Sequence, residues 1–576
     1  MMTLGFVLSL DRITNGARAG KIYVKGLQNA RHYQRGKNLM IFKGELFPDI
    51  GDSELFEAVS QEQIQKLEGE YFIISCDEEL GNARIISSKY CWENLFYFYD
   101  SERFIVSDDF WEIVNIVEPK ESDIDIQSVK EAVVFHQYIF YRTLINNLLY
   151  FPPASVGDYV SEKRSFKISQ YWDFEYKPNN GLTMEKAVER LDEILDDAMK
   201  CIKAKGESST YGVGLSGGLD SRLVAYYAVK NGLNLTSFIV GETKPQGFLL
   251  SRDHDNARNI ARLLGIKRHF EVEYDAGGFQ DRILKNVRES PMISPGFFMN
   301  PRLPKFDILL TGYDGGESFG AMIPSNIQRM STKDLVDYIV QKLSLMKVQA
   351  PTRMLTIVTA LTSILHIPYP KPRDEVRQSL EGVISKEEFE TARAKICQFV
   401  EENKGKDNAS ILQEFVFFRF DTKNKGGRKQ RTFSLYRDPL FREEALTWKL
   451  TFLINKSLQS HFFLKSVPEL SKIKTQNPDI AIFYRYKSLA LLRKLVSFVA
   501  YSMRGRNLRY GKWTMNKEYQ KCTVQILSKK NKIFERIFNT QKVLALRGSD
   551  PDIYNNIVKV KQILDLIEYK GYKKWF

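Results

Sequence analysis

Cysteine is scarce and scattered. Five occur in 576 residues, at Cys76, Cys91, Cys201, Cys397 and Cys522, and no two stand at Cys-x-x-Cys spacing. That excludes a zinc ribbon and a thioredoxin-like dithiol. A disulfide scaffold is excluded with them, and the usage fits a reducing compartment. No run of about 18 uncharged apolar residues is present, so no transmembrane helix is expected. The start, Met1-Met2-Thr3-Leu4-Gly5-Phe6-Val7-Leu8, has no basic region before its apolar run. It also lacks a small-residue cleavage site, and so reads as a strand rather than a signal peptide. The expected location is cytoplasmic. Internal repeats and low-complexity tracts are missing as well.

What is there is ordinary for a globular chain. Hydrophobic residues make up 43%, charged residues 27% and aromatics 12%, enough to fill large cores. The length predicts roughly two to four domains. Lysine and arginine total 84 against 70 aspartate and glutamate, a net charge of +14. The excess is uneven. Ile480 to Lys517 holds nine basic residues and no acid. Such a block suits an anionic partner or, equally, a solvated helical surface. The apolar stretch Leu489–Met503 within it, carrying Arg493 and Lys494, reads as a core helix or as one resting on a membrane surface.

Residues 1–175 are β-rich. Short runs at Gly5–Leu10, Leu39–Lys43, Tyr71–Cys76, Ala83–Ser87, Asn94–Tyr99 and Phe104–Ser107 are bounded by turn residues and predict stacked antiparallel sheets. A helix is expected over Ile126–Phe140. Two prolines, Pro152 and Pro153, then break regular structure. After Tyr171-Trp172 the pattern changes. Met184–Ile202 has apolar residues at helical spacing. A strand Tyr211–Leu215, a helix Ser221–Lys230 and a strand Leu235–Val240 follow. A helix Asp255–Leu264, a strand Arg268–Val272 and a later strand Asp307–Thr311 complete the series. This alternation predicts a doubly wound parallel sheet. From about residue 330 the chain reads as mostly helical.

The strongest motif is Tyr211-Gly-Val-Gly-Leu215-Ser216-Gly217-Gly218-Leu219-Asp220-Ser221. An apolar strand runs through Ser-Gly-Gly directly into a helix. The glycines allow a tight turn with N–H groups pointing outward, and the helix adds orphan N–H groups and its positive dipole end. Together these make a pyrophosphate site, with Ser216 and Ser221 as hydroxyl donors. Asp220 beside phosphates calls for a bridging Mg²⁺. The motif is neither Gly-x-x-x-x-Gly-Lys-[Ser/Thr] nor Gly-x-Gly-x-x-Gly, and it lacks the lysine that grips outer phosphates for γ-phosphoryl transfer. It resembles the Ser-Gly-Gly-x-Asp-Ser loop of N-type ATP pyrophosphatases. A second glycine-rich turn, Gly312-Tyr313-Asp314-Gly315-Gly316-Glu317, follows the 307–311 strand and is expected to face the same crevice.

The two loops, with Gly69-Glu70-Tyr71-Phe72, Asn94-Leu-Phe-Tyr97, Arg437-Asp-Pro-Leu-Phe441 and Val467-Pro-Glu-Leu-Ser-Lys-Ile-Lys474, resemble the asparagine synthetase family over about residues 1–475. The resemblance implies a glutaminase-like α+β domain of the N-terminal-nucleophile type at 1–175. It implies an α/β ATP-pyrophosphatase domain at 176–475, and 476–576 is then a basic helical extension. It implies ATP held by Leu215, Ser216, Gly217, Gly218, Leu219, Asp220, Ser221, Val240, Gly241 and Gly312. Mg²⁺ falls to Asp220 and Asp314, and Tyr313 and Lys474 are catalytic. Tyr313 matches the place of a catalytic tyrosine in the β-lactam synthetases. Lys474 matches a lysine that stabilises transition-state charge, with Lys472 the alternative in that register.

Two departures stand out. The glutaminase cysteine is missing from the start of this sequence, so glutamine hydrolysis is expected to be lost. Where the family's second loop has Gly-Asp-Glu, this chain has Gly316 before Glu317. The expected activity is AMP-forming amide ligation between a small carboxylate and ammonia or another amine. The alternatives are an inactive nucleotide-binding or scaffold homologue and an ATP pyrophosphatase acting on nucleic acid. No nucleic acid is expected as a partner, and a homodimer is left open.

Overall fold

The computed structural model describes residues 6–9, 17–19, 21–46, 50–91, 94–135, 137–206, 209–240, 253–272, 279–289, 304–320, 323–324, 326–343, 383–416, 431–473, 517–549 and 551–575.

The amino-terminal part is built from twelve short strands: β1 (Val7–Ser9), β2 (Ala17–Ala19), β3 (Ile22–Lys25), β4 (Arg31–Arg35), β5 (Asn38–Leu46), β6 (Gly69–Asp77), β7 (Asn82–Ser87), β8 (Phe96–Tyr99), β9 (Phe104–Ser107), β10 (Leu148–Tyr150), β11 (Ser155–Val160) and β12 (Ser165–Gln170). They form two six-stranded sheets, ordered β10-β8-β9-β1-β3-β2 and β12-β11-β7-β6-β5-β4, and the neighbours pair antiparallel.

The two-residue period of the strands explains the layers. On β6, Phe72, Ile74 and Cys76 join Leu8, Phe104 and Val106 in the core between the sheets. Tyr71 and Ile73 face the other way, onto Leu55, Phe56 and Val59 of helix α1 (Asp52–Ser60). On the far side of the first sheet, Val7 and Ile105 pack with helices α2 (Phe110–Val117) and α3 (Ile126–Phe135). The expected stacked antiparallel sheets are therefore present. The expected Ile126–Phe140 helix stops at Phe135.

Beyond residue 180 come helix α4 (Met184–Ala204), β13 (Tyr211–Gly214), α5 (Leu219–Lys230), β14 (Leu235–Val240), α6 (Asp253–Leu263), β15 (Arg268–Val272), α7 (Phe279–Glu289), β16 (Ile308–Thr311) and β17 (Arg431–Ser434). The five strands make one parallel sheet, β15-β14-β13-β16-β17. β13 lies at its centre; the chain adds β14 and β15 on one side and β16 and β17 on the other. The order therefore reverses between β13 and β16, and open parallel sheets bind ligands outside the carboxyl ends of strands at such a switch point. β17 falls in a stretch expected to be helical. It is a short edge strand of four residues, which gives little period to read.

The carboxyl-terminal part is helical, as expected, but it closes over both sheet regions. The helix Pro551–Glu568 packs on α3 and α7. Asn556 donates to the Val133 carbonyl at 2.8 Å. Lys570 and Lys573 both pair with Glu118 at the end of α2. Among the described residues, no helix is long and apolar enough to cross a membrane. Leu489–Met503 and the basic block lie outside the described residues, apart from Lys517.

Candidate functional site

The phosphate-loop candidate sits where β13 ends. Ser216 and Ser221 hold it closed on itself. The Ser216 N–H donates to Ser221 Oγ at 3.1 Å, the two hydroxyls are 3.1 Å apart, and the Gly218 N–H donates to Ser216 Oγ at 3.1 Å. Helix α5 opens at Leu219 with Gly218 as an extended N-cap and no side-chain cap. The N–H groups of its first turn thus point out of the helix without intrahelical partners. Leu215 is buried, and its N–H donates to the Phe238 carbonyl of β14 at 2.8 Å. Val240 ends β14 beside this loop, whereas Gly241 lies outside the described residues.

The second glycine loop reaches the first by close backbone approach. A Cβ on Gly312 would stand 2.9 Å from the Ser221 nitrogen. One on Gly315 would stand 2.6 Å from the Tyr436 ring and 2.9 Å from Asp220 Cβ. Only glycine lets the turn after β16 lie directly on the first turn of α5. The two loops therefore share one crevice, at the switch point between β13 and β16.

Asp220 is fully engaged. Its Oδ2 pairs with Lys456 Nζ at 2.5 Å, and its Oδ1 accepts from Gln459 Nε2 at 2.8 Å. Its carbonyl accepts from the Tyr436 hydroxyl at 2.8 Å. Burial keeps that phenol's pKa well above its usual value, so it stays a donor. Lys456 has φ 57° and caps the helix Ser457–Ser466. A non-glycine residue rarely adopts this conformation; here it aims the lysine at Asp220.

Asp314 is also left-handed, at φ 68°, and buried. Its Oδ2 is 2.5 Å from Arg437 Nε and 3.6 Å from Arg442 Nη2. Burial pushes the Arg442 guanidinium down, and the nearby Asp314 carboxylate pushes it back up. Arg442 also lies over the Tyr90 ring of the amino-terminal part, 5.7 Å away. Beside it, Lys89 bridges Glu68 and Glu443 at 2.8 Å each.

The expected Mg²⁺ site at Asp220 and Asp314 does not fit this arrangement. Both carboxylates are already neutralised by cationic side chains. Among the described residues no three His, Cys, Asp or Glu side chains converge. Tyr313, by contrast, is 57% exposed at the mouth of the crevice, its carbonyl held by Ser434 Oγ at 2.8 Å. Lys474 lies outside the described residues; Lys472 pairs with Glu469 on the surface.

Lys456, the cation on Asp220, was not singled out by the sequence, nor were Gln459 and Tyr436. One signal was available. Gln459 stands at the apolar spacing of Phe462 and Phe463 and is completely buried, which marks a polar residue with a fixed partner.

Comparison with known proteins bears directly on this crevice. Residues 190–400 match the asparagine synthase family model. The matched segment spans less than half of the chain. It contains β13, the loop at 216–221 and the second glycine loop. No curated protein gives a match. Among solved structures, glutamine phosphoribosylpyrophosphate amidotransferase from B. subtilis, complexed with ADP and GMP, is similar at 9% identity. That match covers 46% of this chain and 84% of the other, with a TM-score of 0.20. A structure described as the allosteric regulatory enzyme of purine biosynthesis matches at 7% identity, covering 47% and 74%, with a TM-score of 0.18.

Proposed function

We propose that the chain is an ATP-dependent, AMP-forming ligase that joins a small carboxylate to ammonia or another amine. The observation that carries this reading is the shared crevice of the segment that matches the asparagine synthase family model. Two glycine loops touch at the carboxyl ends of adjacent parallel strands, and Lys456 reaches Asp220 between them.

The residues present fit a nucleoside triphosphate. The orphan N–H groups at Leu219–Ser221 and the two serine hydroxyls form an anion-binding turn. With the outer phosphates seated there, the α-phosphorus faces the open crevice. The substrate carboxylate attacks it and the Pα–O bond to pyrophosphate breaks, leaving an acyl-adenylate. The amine then adds to the acyl carbon, AMP departs with the bonding pair, and the amine's proton passes to a base. The turn and Lys456 stabilise charge on the departing pyrophosphate, as preorganised donors do in a water-poor site. Exposed Tyr313 is placed to orient the incoming amine. No step is assigned to a metal.

A second reading has a specific observation behind it. Asp314, held by Arg437 and Arg442, and Gly316 beside it suit a domain that binds nucleotide without turning it over. Incubating the full chain with ATP, a panel of carboxylates, and ammonia or hydroxylamine separates the two. AMP and pyrophosphate support ligation. ADP and phosphate refute the adenylation chemistry. Binding of ATP with no turnover across the panel favours the inactive homologue.

A further inference from the structure

Arg222 follows the loop motif by one residue, on the buried face of α5, and no solvent reaches it. Its guanidinium spans two parts of the chain far apart in sequence. Nη2 donates to the Gly217 carbonyl at 2.9 Å. Nη1 donates to the Leu470 carbonyl at 2.8 Å and to the Ile473 carbonyl at 3.2 Å. The side chain also lies 5.8 Å from the centre of the Phe463 ring. A planar fork of N–H donors suits several carbonyls in fixed directions; a lysine ammonium does not span them in the same way.

The peptide geometry gives this contact a consequence. In a trans peptide the C=O of one residue and the N–H of the next point in opposite directions. Pinning the Gly217 carbonyl inward therefore turns the Gly218 N–H to the opposite side, where Ser216 Oγ accepts it at 3.1 Å. That N–H is on the Ser216 side of the turn, where Ser216 and Gly218 are half-buried while Gly217 is buried. With glycine at both positions the 217–218 peptide has little intrinsic preference against flipping, because neither residue has a Cβ to restrict it. Ser216 Oγ holds its N–H side and Arg222 its carbonyl side. Burial lowers the guanidinium only to about 10, so it remains charged at neutral pH directly behind the turn.

We infer that Arg222 is a positioning residue for the phosphate turn: by holding the Gly217 carbonyl against the 470–473 segment, it keeps the Gly218 N–H on Ser216 Oγ and so fixes the turn that meets the pyrophosphate of the nucleotide. The inference rests on residues 216–221 being the phosphate site. It adds to that reading the requirement that the segment at 470–473 be docked for the site to be formed.

The test compares the full-length wild type with Arg222→Gln and Arg222→Lys. Calorimetry measures binding of inorganic pyrophosphate, ATP and adenosine, and each melting temperature is recorded. Arg222→Gln is expected to weaken pyrophosphate and ATP at least tenfold while adenosine changes less than twofold, with Arg222→Lys intermediate. Equal losses for adenosine and pyrophosphate would mean a merely structural arginine and would overturn the inference. So would unchanged pyrophosphate affinity in Arg222→Gln. If Arg222→Gln fails to fold, the same comparison is made with Arg222→Lys, for which a threefold or greater selective loss of pyrophosphate is expected and an unselective loss overturns. A wild type that binds neither pyrophosphate nor ATP defeats the phosphate-site reading itself, which a null result in the variants alone leaves standing.

Discussion

Replacing Lys456 by methionine removes the side-chain ammonium that, among the described residues, reaches Asp220, while keeping a long, unbranched side chain. The resting protein should tolerate this. The pair is 2.5 Å apart but about one-fifth exposed on each side, and Asp220 keeps its bond from Gln459 at 2.8 Å. Ion pairs with that access to water contribute on the order of 1 kcal/mol or less to stability. The nucleotide complex should not tolerate it. One unit charge facing another at about 4 Å is worth roughly 4 kcal/mol at an effective dielectric of about 20. Loss of one preorganised donor to a developing anion typically costs about 10² to 10³ in turnover. Lys456→Met should therefore lower kcat/KM for AMP formation about a hundredfold and weaken pyrophosphate about tenfold, with Lys456→Arg recovering much of both. Steady-state product analysis and calorimetric pyrophosphate titration read these directly. If Lys456→Met binds pyrophosphate within twofold of wild type, the lysine does not face the phosphates and the reasoning fails.

Gly315→Ala sets a methyl group against the Tyr436 ring and Asp220, so denaturant unfolding should show a loss of about 1–3 kcal/mol, together with weaker ATP binding. Asp314→Asn removes the carboxylate shared by buried Arg442 and half-buried Arg437; about 3 kcal/mol of stability should be lost, and a loss below about 0.5 kcal/mol would show the pairing does not matter. Asp109 is pushed up to about 7 by burial and by the neighbouring Asp108. Between the ordinary carboxylate range and pH 7 the folded state binds more protons there than the unfolded state, so this group's contribution to stability falls as pH rises through that window. Asp109 caps α2 by accepting from the Trp111 N–H at 2.9 Å, a role asparagine fills equally well. Asp109→Asn should accordingly raise the melting temperature more at pH 8 than at pH 5, and equal shifts at both would count against a shifted Asp109.

The parallel sheet was legible because its signals are local. Leu235–Val240 is a largely apolar run, Arg268–Val272 follows the helix stop at Gly265, and the strand–Ser-Gly-Gly–helix passage has few other interpretations. The contact between the two glycine loops followed from chain order alone. What escaped was long-range. Lys456 lies 236 residues from Asp220, and nothing in a lysine-rich chain sets it apart before the turn at φ 57° is seen. Asp314 read as a metal ligand because of the family resemblance of its glycine loop. Its arginine partners come from a segment more than 120 residues later, and buried charge pairing has no sequence period. Arg222 likewise reads as one more charge at the start of a helix, until the carbonyls it holds come into view.

The most direct measurement is a crystal structure of the full chain with α,β-methylene ATP, whose Pα–Pβ link resists cleavage. The account predicts the β- and γ-phosphate oxygens within hydrogen-bonding distance of the Leu219 and Asp220 N–H groups and of Lys456 Nζ, with the α-phosphorus open toward Tyr313. Outer phosphates bound away from residues 216–221, or an α-phosphorus walled off from the crevice, would contradict it.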